Sequence, residues 1–395
     1  MPRLAIATCY AAMTTLAISL NLMPVCLPLL RSGVGGGALT NEQLGRVAAI
    51  TFVGVVGGLL AGGPLADRVH ARWFTVGGNA LIMAGLLRLY ASRSYADVLA
   101  AVAVMGFGAG ILDMILSPIA CALQPERRAQ AMNWLHSFYC VGAALTILAA
   151  TLAFSHAVGW RPLALGLAAA PAAVGALFLF VPLPSIAPAG TRLRVRDLVR
   201  ERFFLLALAA IFFGGATEMG LAQWLPAYAE LELGLPRWVG GATLLAFSVA
   251  MAAGRMVIGS LSGRVPIILL MAISCTATGA LILVAGLCPV PAVVLAAAVL
   301  AGFTGSSLWP STLALAADRY ALASATMFGV LAAFGNLGGI MMPWCVGIVA
   351  DHSRIALGIA CSAATPLLML LVLRGLHAGR LPAPPAEAPA VPVVP

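Results

Sequence analysis

A few acidic side chains stand deep inside long apolar stretches of this sequence, and they are its first candidates for chemistry. Asp113 follows GFGAGIL and Glu218 follows IFFGGAT. A carboxylate in apolar surroundings is costly, and desolvation favours its protonated form. The pattern predicts that Asp113 and Glu218 are proton-coupling groups. The structural alternatives are an arginine partner for Asp113, and for Glu218 a helix end near water or a hydrogen bond between helices.

Polar and aromatic side chains in the same apolar stretches are candidates for binding a solute. Asn133 and His136 are three residues apart, so on a helix they share one face. Aromatic rings and amides elsewhere add surfaces that suit a hydroxylated solute, although helix packing and interfacial belts explain most such residues in membranes. The candidates are Asn133, His136, Gln223, Trp224, Tyr228, Trp309 and Asn336.

The composition decides which elements carry these groups. Of 395 residues, 62% are hydrophobic and 9% are charged, whereas soluble domains carry about 25% charged residues. This excludes an ordinary soluble protein and a disordered chain. A spanning helix needs about 20 mostly apolar residues, and twelve such stretches lie between residues 4 and 376. The sequence therefore predicts an all-α integral membrane protein with twelve transmembrane helices.

Arginines indicate how the chain is oriented. All 22 basic residues are arginines, and with the N-terminus inside, fourteen fall on the cytoplasmic side against six outside. The positive-inside rule therefore predicts that both termini are cytoplasmic. The absence of lysine in a chain rich in Ala, Gly, Arg and Pro is typical of GC-rich genomes, so we expect a bacterial inner membrane. The short basic loops do not indicate nucleic-acid binding.

An offset of 196 residues aligns the two halves of the chain. The segment Gly63–Val69 (GPLADRV) falls on Gly259–Val265 (GSLSGRV), and Gly106-Phe107 falls on Gly302-Phe303. Two homologous six-helix bundles in parallel orientation are expected to hold a substrate between them at the membrane midplane. The predicted units are an N-terminal half (1–182), a basic cytoplasmic linker (183–202), a C-terminal half (203–376) and a disordered Pro-rich tail (377–395).

Charged residues near the two copies of this repeated segment predict a structural gate. Asp67 and Arg68 belong to the first copy, Arg264 belongs to the second, and Arg255 precedes it near the inner end of its helix. Charge pairs and contacts with helix dipoles at one face would hold the halves together in one state.

The segment Gly63-Pro-Leu-Ala-Asp67-Arg68 resembles the loop between the second and third helices of the major facilitator superfamily. In that family's pattern a Gly and an Arg follow, and here His70 and Ala71 replace them. With twelve predicted helices and the internal repeat, the resemblance covers about residues 4–376. It implies the major facilitator fold and transport by alternating access.

A finer resemblance is to the sugar–proton symporters that include the fucose permease. Residues 108–143 carry an acid, a proline and helix-5 polar positions that match that group at Asp113, Pro118, Asn133, His136 and Tyr139. At the start of helix 7, the matching residues are Glu218, Trp224 and Tyr228. The resemblance adds Tyr139 to the solute-binding candidates. One departure is in helix 1, where the stretch LNLMPVCLP has Pro24 but no preceding acid.

These observations predict a secondary active transporter of a small polar solute, with a sugar as one candidate, driven by protons. We expect it to act as a monomer in the lipid bilayer, with no metal or other cofactor and no enzymatic activity. An exporter of drugs or metabolites on the same fold is the first alternative. A membrane sensor that binds a solute without transporting it is the second.

Overall fold

The computed structural model describes residues 2–31, 34, 39, 41–66, 69–184, 195–320 and 325–378, and in these ranges it is built from helices. The N-terminal helices are α1 (Pro2–Arg31), α2 (Asn41–Ala66), α3 (Ala71–Ala91), α4 (Tyr95–Leu123), α5 (Arg128–Ser155), α6 (Trp160–Leu167) and α7 (Ala169–Phe180). The C-terminal helices begin after the short α8 (Val195–Leu198). They are α9 (Arg202–Ala222), α10 (Leu225–Ala227), α11 (Arg237–Leu261), α12 (Ile267–Leu287), α13 (Pro291–Gly305), α14 (Leu308–Arg319), α15 (Ala325–His352), α16 (Ile355–Ser362) and α17 (Ala364–Ala378).

The described helices are long and apolar enough to cross a membrane eleven times. The remaining predicted span corresponds to α2, in which the apolar stretch Ala49–Gly63 is shorter. The prediction of an all-α, multi-pass membrane protein is therefore confirmed, while the count of twelve spans stays a prediction.

Four of the predicted spans are interrupted rather than continuous. Each break follows from a proline, which has no N–H to donate to the carbonyl four residues earlier and whose ring crowds that carbonyl. The breaks lie at residues 168, 223–224, 306–307 and 363. Each comes shortly before a proline, and these prolines are, in the same order, Pro171, Pro226, Pro310 and Pro366. After α10 the chain continues through a π-helical turn, Tyr228–Glu232.

Glycines allow the helices to approach each other closely. A Cβ atom on Gly106 or Gly110 of α4 would collide with the carbonyl oxygen of Thr51 or Val55 on α2. These two glycines therefore serve the close packing of α4 on α2. Gly302, the repeat partner of Gly106, packs on Phe247 of α11, which is the repeat partner of Thr51.

The buried apolar side chains follow the two parts of the chain. The largest core cluster draws on α1–α7, with Leu16, Leu59, Leu112 and Leu135 among its fully buried members. Two further clusters draw mainly on α9–α17. Trp309 packs against the cluster of the N-terminal helices and against one of the C-terminal clusters. Side chains at this junction are the ones that relative motion of the two parts would rearrange.

Candidate solute-binding and coupling site

Arg255 on α11 is the centre of the most strongly connected polar site in the described part of the chain. Its side chain is 2% exposed. Its Nε donates to the carbonyl oxygen of Ser306 (2.8 Å), and one terminal nitrogen donates to the carbonyl oxygen of His136 (2.6 Å) and the Sγ of Cys140 (3.2 Å). The other terminal nitrogen binds Glu218. One guanidinium group therefore bonds both to α5 and to the C-terminal helices.

Glu218 is the ion-pair partner of Arg255. Its Oε2 lies 2.6 Å from the Arg255 guanidinium, and its side chain is 7% exposed. A narrow cavity beside it is lined by Thr217, Leu221, Phe247 and Met251 as well as other apolar residues. A buried carboxylate keeps its charge only with such a partner, because desolvation otherwise favours the neutral acid.

Asp113 lies on α4, in the opposite half of the chain, and its environment differs from that of Glu218. Its side chain is partly exposed, and it lies close enough to Arg255 for a Coulombic interaction. Within the described ranges its carboxyl group makes no hydrogen bond and no ion pair. Among the two acids predicted for proton coupling, Glu218 is thus the one that is fixed by an arginine.

Three of the predicted solute-binding residues carry buried polar atoms that have no hydrogen-bond partner within the described ranges. These atoms are the Oδ1 of Asn133, the Nε2 of His136 and the Nε1 of Trp309. Buried polar atoms are normally hydrogen-bonded, so these three atoms are candidates for hydrogen bonds with a solute. The Nδ2 of Asn133 is bonded to Ser311 of α14 at 3.1 Å, which ties α5 to a C-terminal helix.

Tyr139 has a polar partner that the sequence reasoning missed. The Nδ2 of Asn21 on α1 donates to the Tyr139 hydroxyl at 3.4 Å, and both side chains are partly exposed. Asn21 lies three residues before Pro24 in an otherwise apolar helix. Asn21 lies in the LNLMPVCLP stretch. A search of helix 1 for polar amides as well as acids would have found it.

Gln223, Trp224 and Tyr228 lie apart from this centre. The Nε1 of Trp224 donates to the carbonyl oxygen of Pro343 (2.9 Å), and the Tyr228 hydroxyl donates to that of Ala285 (2.9 Å). Gln223 is exposed at the break between α9 and α10. Packing and hydrogen bonds within the C-terminal helices account for the positions of the Trp224 and Tyr228 rings. The structure gives no support for their predicted role in binding.

Asn336 lies on α15, where its side chain is partly exposed. Its Nδ2 donates to the carbonyl oxygen of Ala332, one turn earlier in the same helix (2.9 Å). Its amide oxygen can still accept a hydrogen bond from a solute. Asn336 therefore stays a predicted binding residue.

The contacts between the N- and C-terminal helices concentrate towards one face of the molecule. This face, called the basic face below, carries the turns 124–128 and 262–266 and the end of α14, with exposed Arg127, Arg264 and Arg319. Here Arg128 donates to the carbonyl oxygen of Ala317 (2.8 Å) and pairs with Asp318 (3.4 Å). Gly63 of α2 abuts Thr326 of α15, and Gly259 of α11 abuts Asn133.

The predicted gate is only partly visible. Asp67 and Arg68 lie outside the described residues, and Arg264 is exposed in the turn after α11. Arg255 bridges the two parts of the chain, but it does so in the buried centre rather than beside Arg264. Neither there nor elsewhere in the described ranges do His, Cys, Asp and Glu gather into a group of three or more that could hold a metal ion.

Comparison with known proteins identifies the family. The model of the Major Facilitator Superfamily matches residues 4–343. The chain belongs to this superfamily. An uncharacterized transporter of this type from Bacillus subtilis, YfkL, is 25% identical over 306 residues, which is 74% of this chain and 76% of YfkL.

Solved structures of the superfamily share the fold. The E. coli fucose:proton symporter FucP, in its outward conformation, superposes with a TM-score of 0.80 at 18% identity, covering 94% of this chain and 98% of FucP. The human organic anion transporter MFSD10 has a TM-score of 0.77 at 16% identity, covering 94% of this chain and 99% of that one. The fold expected from the resemblance is thereby confirmed.

Proposed function

We propose that this chain is a secondary active transporter that couples a small polar solute to protons by alternating access. The observation that carries the proposal is the buried polar centre at the junction of the two halves. There Arg255, Glu218 and Asp113 lie near the unpartnered Nε2 of His136, and Asn133 and Trp309 offer further unpartnered atoms at the same junction. Charged groups inside a membrane are costly and mark pathways for ions and substrates.

In the proposed architecture, twelve spanning helices form two six-helix bundles in a bacterial inner membrane. The basic face is cytoplasmic, as are both termini, in keeping with the positive-inside rule. Cross-half contacts lie at the basic face, and they support a state that is closed on that side. The FucP structure with which this chain superposes is in the outward conformation.

In the proposed cycle, Asp113 takes a proton from the open side and the solute binds between α1, α4, α5, α9, α14 and α15. The halves then rock, which breaks the bonds of Arg255 to α5 and opens the basic face. Loss of the proton on that side resets the site. Unpartnered donors and acceptors suit a hydroxylated solute, and fucose, the solute of the fucose:proton symporter FucP, is the first compound to test.

An exporter on the same fold is the second candidate. The likeness to a human organic anion transporter supports including organic anions among the compounds tested. A sensor that does not transport is the third, and it predicts binding of a solute without flux.

The test is proton flux in liposomes containing the purified protein and the pH dye pyranine, against fucose, other monosaccharides, polar metabolites and organic anions. We expect a solute-triggered pH change that Asp113→Asn abolishes while binding persists. Asp351→Asn, at an exposed position at the end of α15, is the matched control and should behave as wild type. Normal movement of protons and solute by Asp113→Asn would overturn the mechanism, and binding without flux would favour the sensor.

A further inference from the structure

Two carboxyl groups share one guanidinium at the polar centre: Glu218 is buried beside Arg255, and Asp113 is partly exposed. Glu218 of α9 bonds directly to Arg255, whereas Asp113 of α4 interacts with it only through its charge. The other titratable groups that face Arg255 come from α5 and are His136, Tyr139 and Cys140. A thiol and a phenol are neutral at pH 7, and an imidazolium beside a buried guanidinium is disfavoured by like charge.

The sum of charges then decides the protonation pattern. Arg255 and Glu218 form a pair with no net charge. A second carboxylate would leave one uncompensated negative charge among the spanning helices, and charge inside a membrane is costly unless it is paired. One proton removes that charge. It belongs on Asp113, because Glu218 is stabilised as a carboxylate by a 2.6 Å contact with the guanidinium.

We propose that Arg255 is the positioning residue that assigns the transported proton, keeping Glu218 ionised and leaving Asp113 as the single proton carrier. The coupling role rests on the proposed function, whereas the protonation pattern does not depend on transport. Glu218 is then a fixed counter-ion, which separates the roles of the two acids that the sequence treated as equivalent.

A merely structural ion pair would leave the protonation of Asp113 independent of Glu218, whereas the proposed charge balance links the two acids. If Glu218 becomes the isosteric but neutral glutamine, Arg255 keeps its charge and loses its counter-ion. An unpaired buried charge is strongly unfavourable, so the second acid ionises to compensate it. Asp113 therefore loses its proton although its own side chain is unchanged.

The test is infrared spectroscopy of the purified full-length protein in lipid at neutral pH. It uses the carboxylic acid C=O band that shifts when H₂O is exchanged for D₂O. We expect wild type to show a band equivalent to one protonated carboxylic acid per chain. The whole band should disappear in Asp113→Asn and also in Glu218→Gln. Glu126→Gln, at an exposed position on the basic face, is the matched control and should keep it.

Arg255→Gln provides an independent test. The intensity of its carboxylic acid band should be twice that of wild type, because both acids then carry protons. If this variant does not fold, Glu218→Gln, which retains the shape of the side chain, still decides the matter. Retention of the full band in Glu218→Gln, its persistence in Asp113→Asn, or a wild-type band of none or two would each overturn the proposal. None of these results needs a transported solute, so they are distinguishable from failure of the transport function itself.

Discussion

At the residue scale, Trp309 is the side chain that packing explains least completely. Its ring lies against Gly215 and Gly335 and contacts both parts of the core, yet its buried Nε1 has no partner within the described ranges. A buried N–H group normally donates a hydrogen bond to a protein atom, a water or a ligand. We therefore expect this N–H to donate a hydrogen bond to the solute.

Trp309→Phe removes the N–H while keeping an aromatic ring in place. A hydrogen bond to a solute contributes about 1 kcal/mol, so we expect the apparent KM for the transported solute to rise about fivefold with the maximal rate unchanged. Uptake kinetics in proteoliposomes measure both. Trp344→Phe, at a position 67% exposed, is the control, and equal KM values for the two variants would remove Trp309 from the binding site.

Sequence alone indicated much of this site but not its pairing. Single acids in apolar stretches indicated Asp113 and Glu218, whereas Arg255 was predicted as part of a structural gate. Which acid receives the arginine depends on contacts between α9 and α11, 37 residues apart in the chain, and no local pattern encodes it. Trp224 and Tyr228 were predicted from a motif, whereas their hydrogen bonds to Pro343 and Ala285 depend on tertiary packing.

At the element scale, the glycines of α4 set how closely it can approach α2. A methyl group on Gly110 would collide with the carbonyl oxygen of Val55, whereas nothing lies within 4 Å of the corresponding position at Gly77 on α3. Backbone cannot move aside as a flexible side chain can, so the two helices would have to separate along their contact.

Gly110→Ala should therefore destabilise the protein by about 2 kcal/mol or more, since overpacking costs about 1–3 kcal/mol. Gly77→Ala should be neutral or slightly stabilising, because alanine favours a helix more than glycine does. The melting temperatures of the two variants in detergent measure the difference. Equal melting temperatures would show that the α2–α4 contact is looser than described.

The hydrogen bond between Asn133 of α5 and Ser311 of α14 is a second feature at this scale. It ties α5 to α14, and in the proposed cycle it breaks when the basic face opens. Cys121 is a native reporter of opening, because its buried thiol lies at the end of α4 among side chains of the C-terminal helices, near Arg128 and Asp318.

Ser311→Ala should raise the rate at which a maleimide labels Cys121 about fivefold, since a lost hydrogen bond of about 1 kcal/mol shifts the equilibrium by that factor. The less buried Cys288, Cys345 and Cys361 are first replaced by serine. Ser260→Ala, whose hydroxyl bonds within its own helix, serves as control. An unchanged rate in Ser311→Ala would exclude this bond from the closure.

The breaks within four of the predicted spans were not predicted from the sequence. Apolar length alone predicted continuous spans at 161–182, 203–229, 291–317 and 354–376. The prolines at 171, 226, 310 and 366 were visible, and loss of the bond to the carbonyl four residues earlier explains each break. Pro118 and Pro343 lie inside unbroken helices, so the proline pattern alone would not have separated the two cases.

At the scale of the whole molecule, the account requires the two halves to separate at the basic face in each cycle. The repeat at an offset of 196 residues predicted two related parts, and the core clusters follow that division. The side on which the halves meet could not be predicted, because related halves can pack at either face. The proposed closure on the basic side rests on the positions of the cross-half contacts.

A disulfide across the basic face should therefore stop transport. The Cβ position at Gly63 of α2 lies 3.5 Å from the Cβ of Thr326 of α15, at the short end of the range of about 3.5–4.5 Å found in disulfides. It also lies 2.9 Å from the Cα of Thr326, so the two helices must move slightly apart to admit the cross-link. The double variant Gly63→Cys/Thr326→Cys should cross-link on oxidation. Each single variant controls for the substitution itself, and a shift on a non-reducing gel after cleavage between the halves measures the cross-linked fraction.

The most direct measurement of alternating access is solute-driven pH change in liposomes containing this double variant, recorded before and after reduction. The oxidised protein should bind solute from the side opposite the basic face but should move neither solute nor protons. Addition of dithiothreitol should restore flux to the level of the single-cysteine variants. Fully cross-linked protein that transports at the wild-type rate would contradict the account, because the halves would then have no need to part at the basic face.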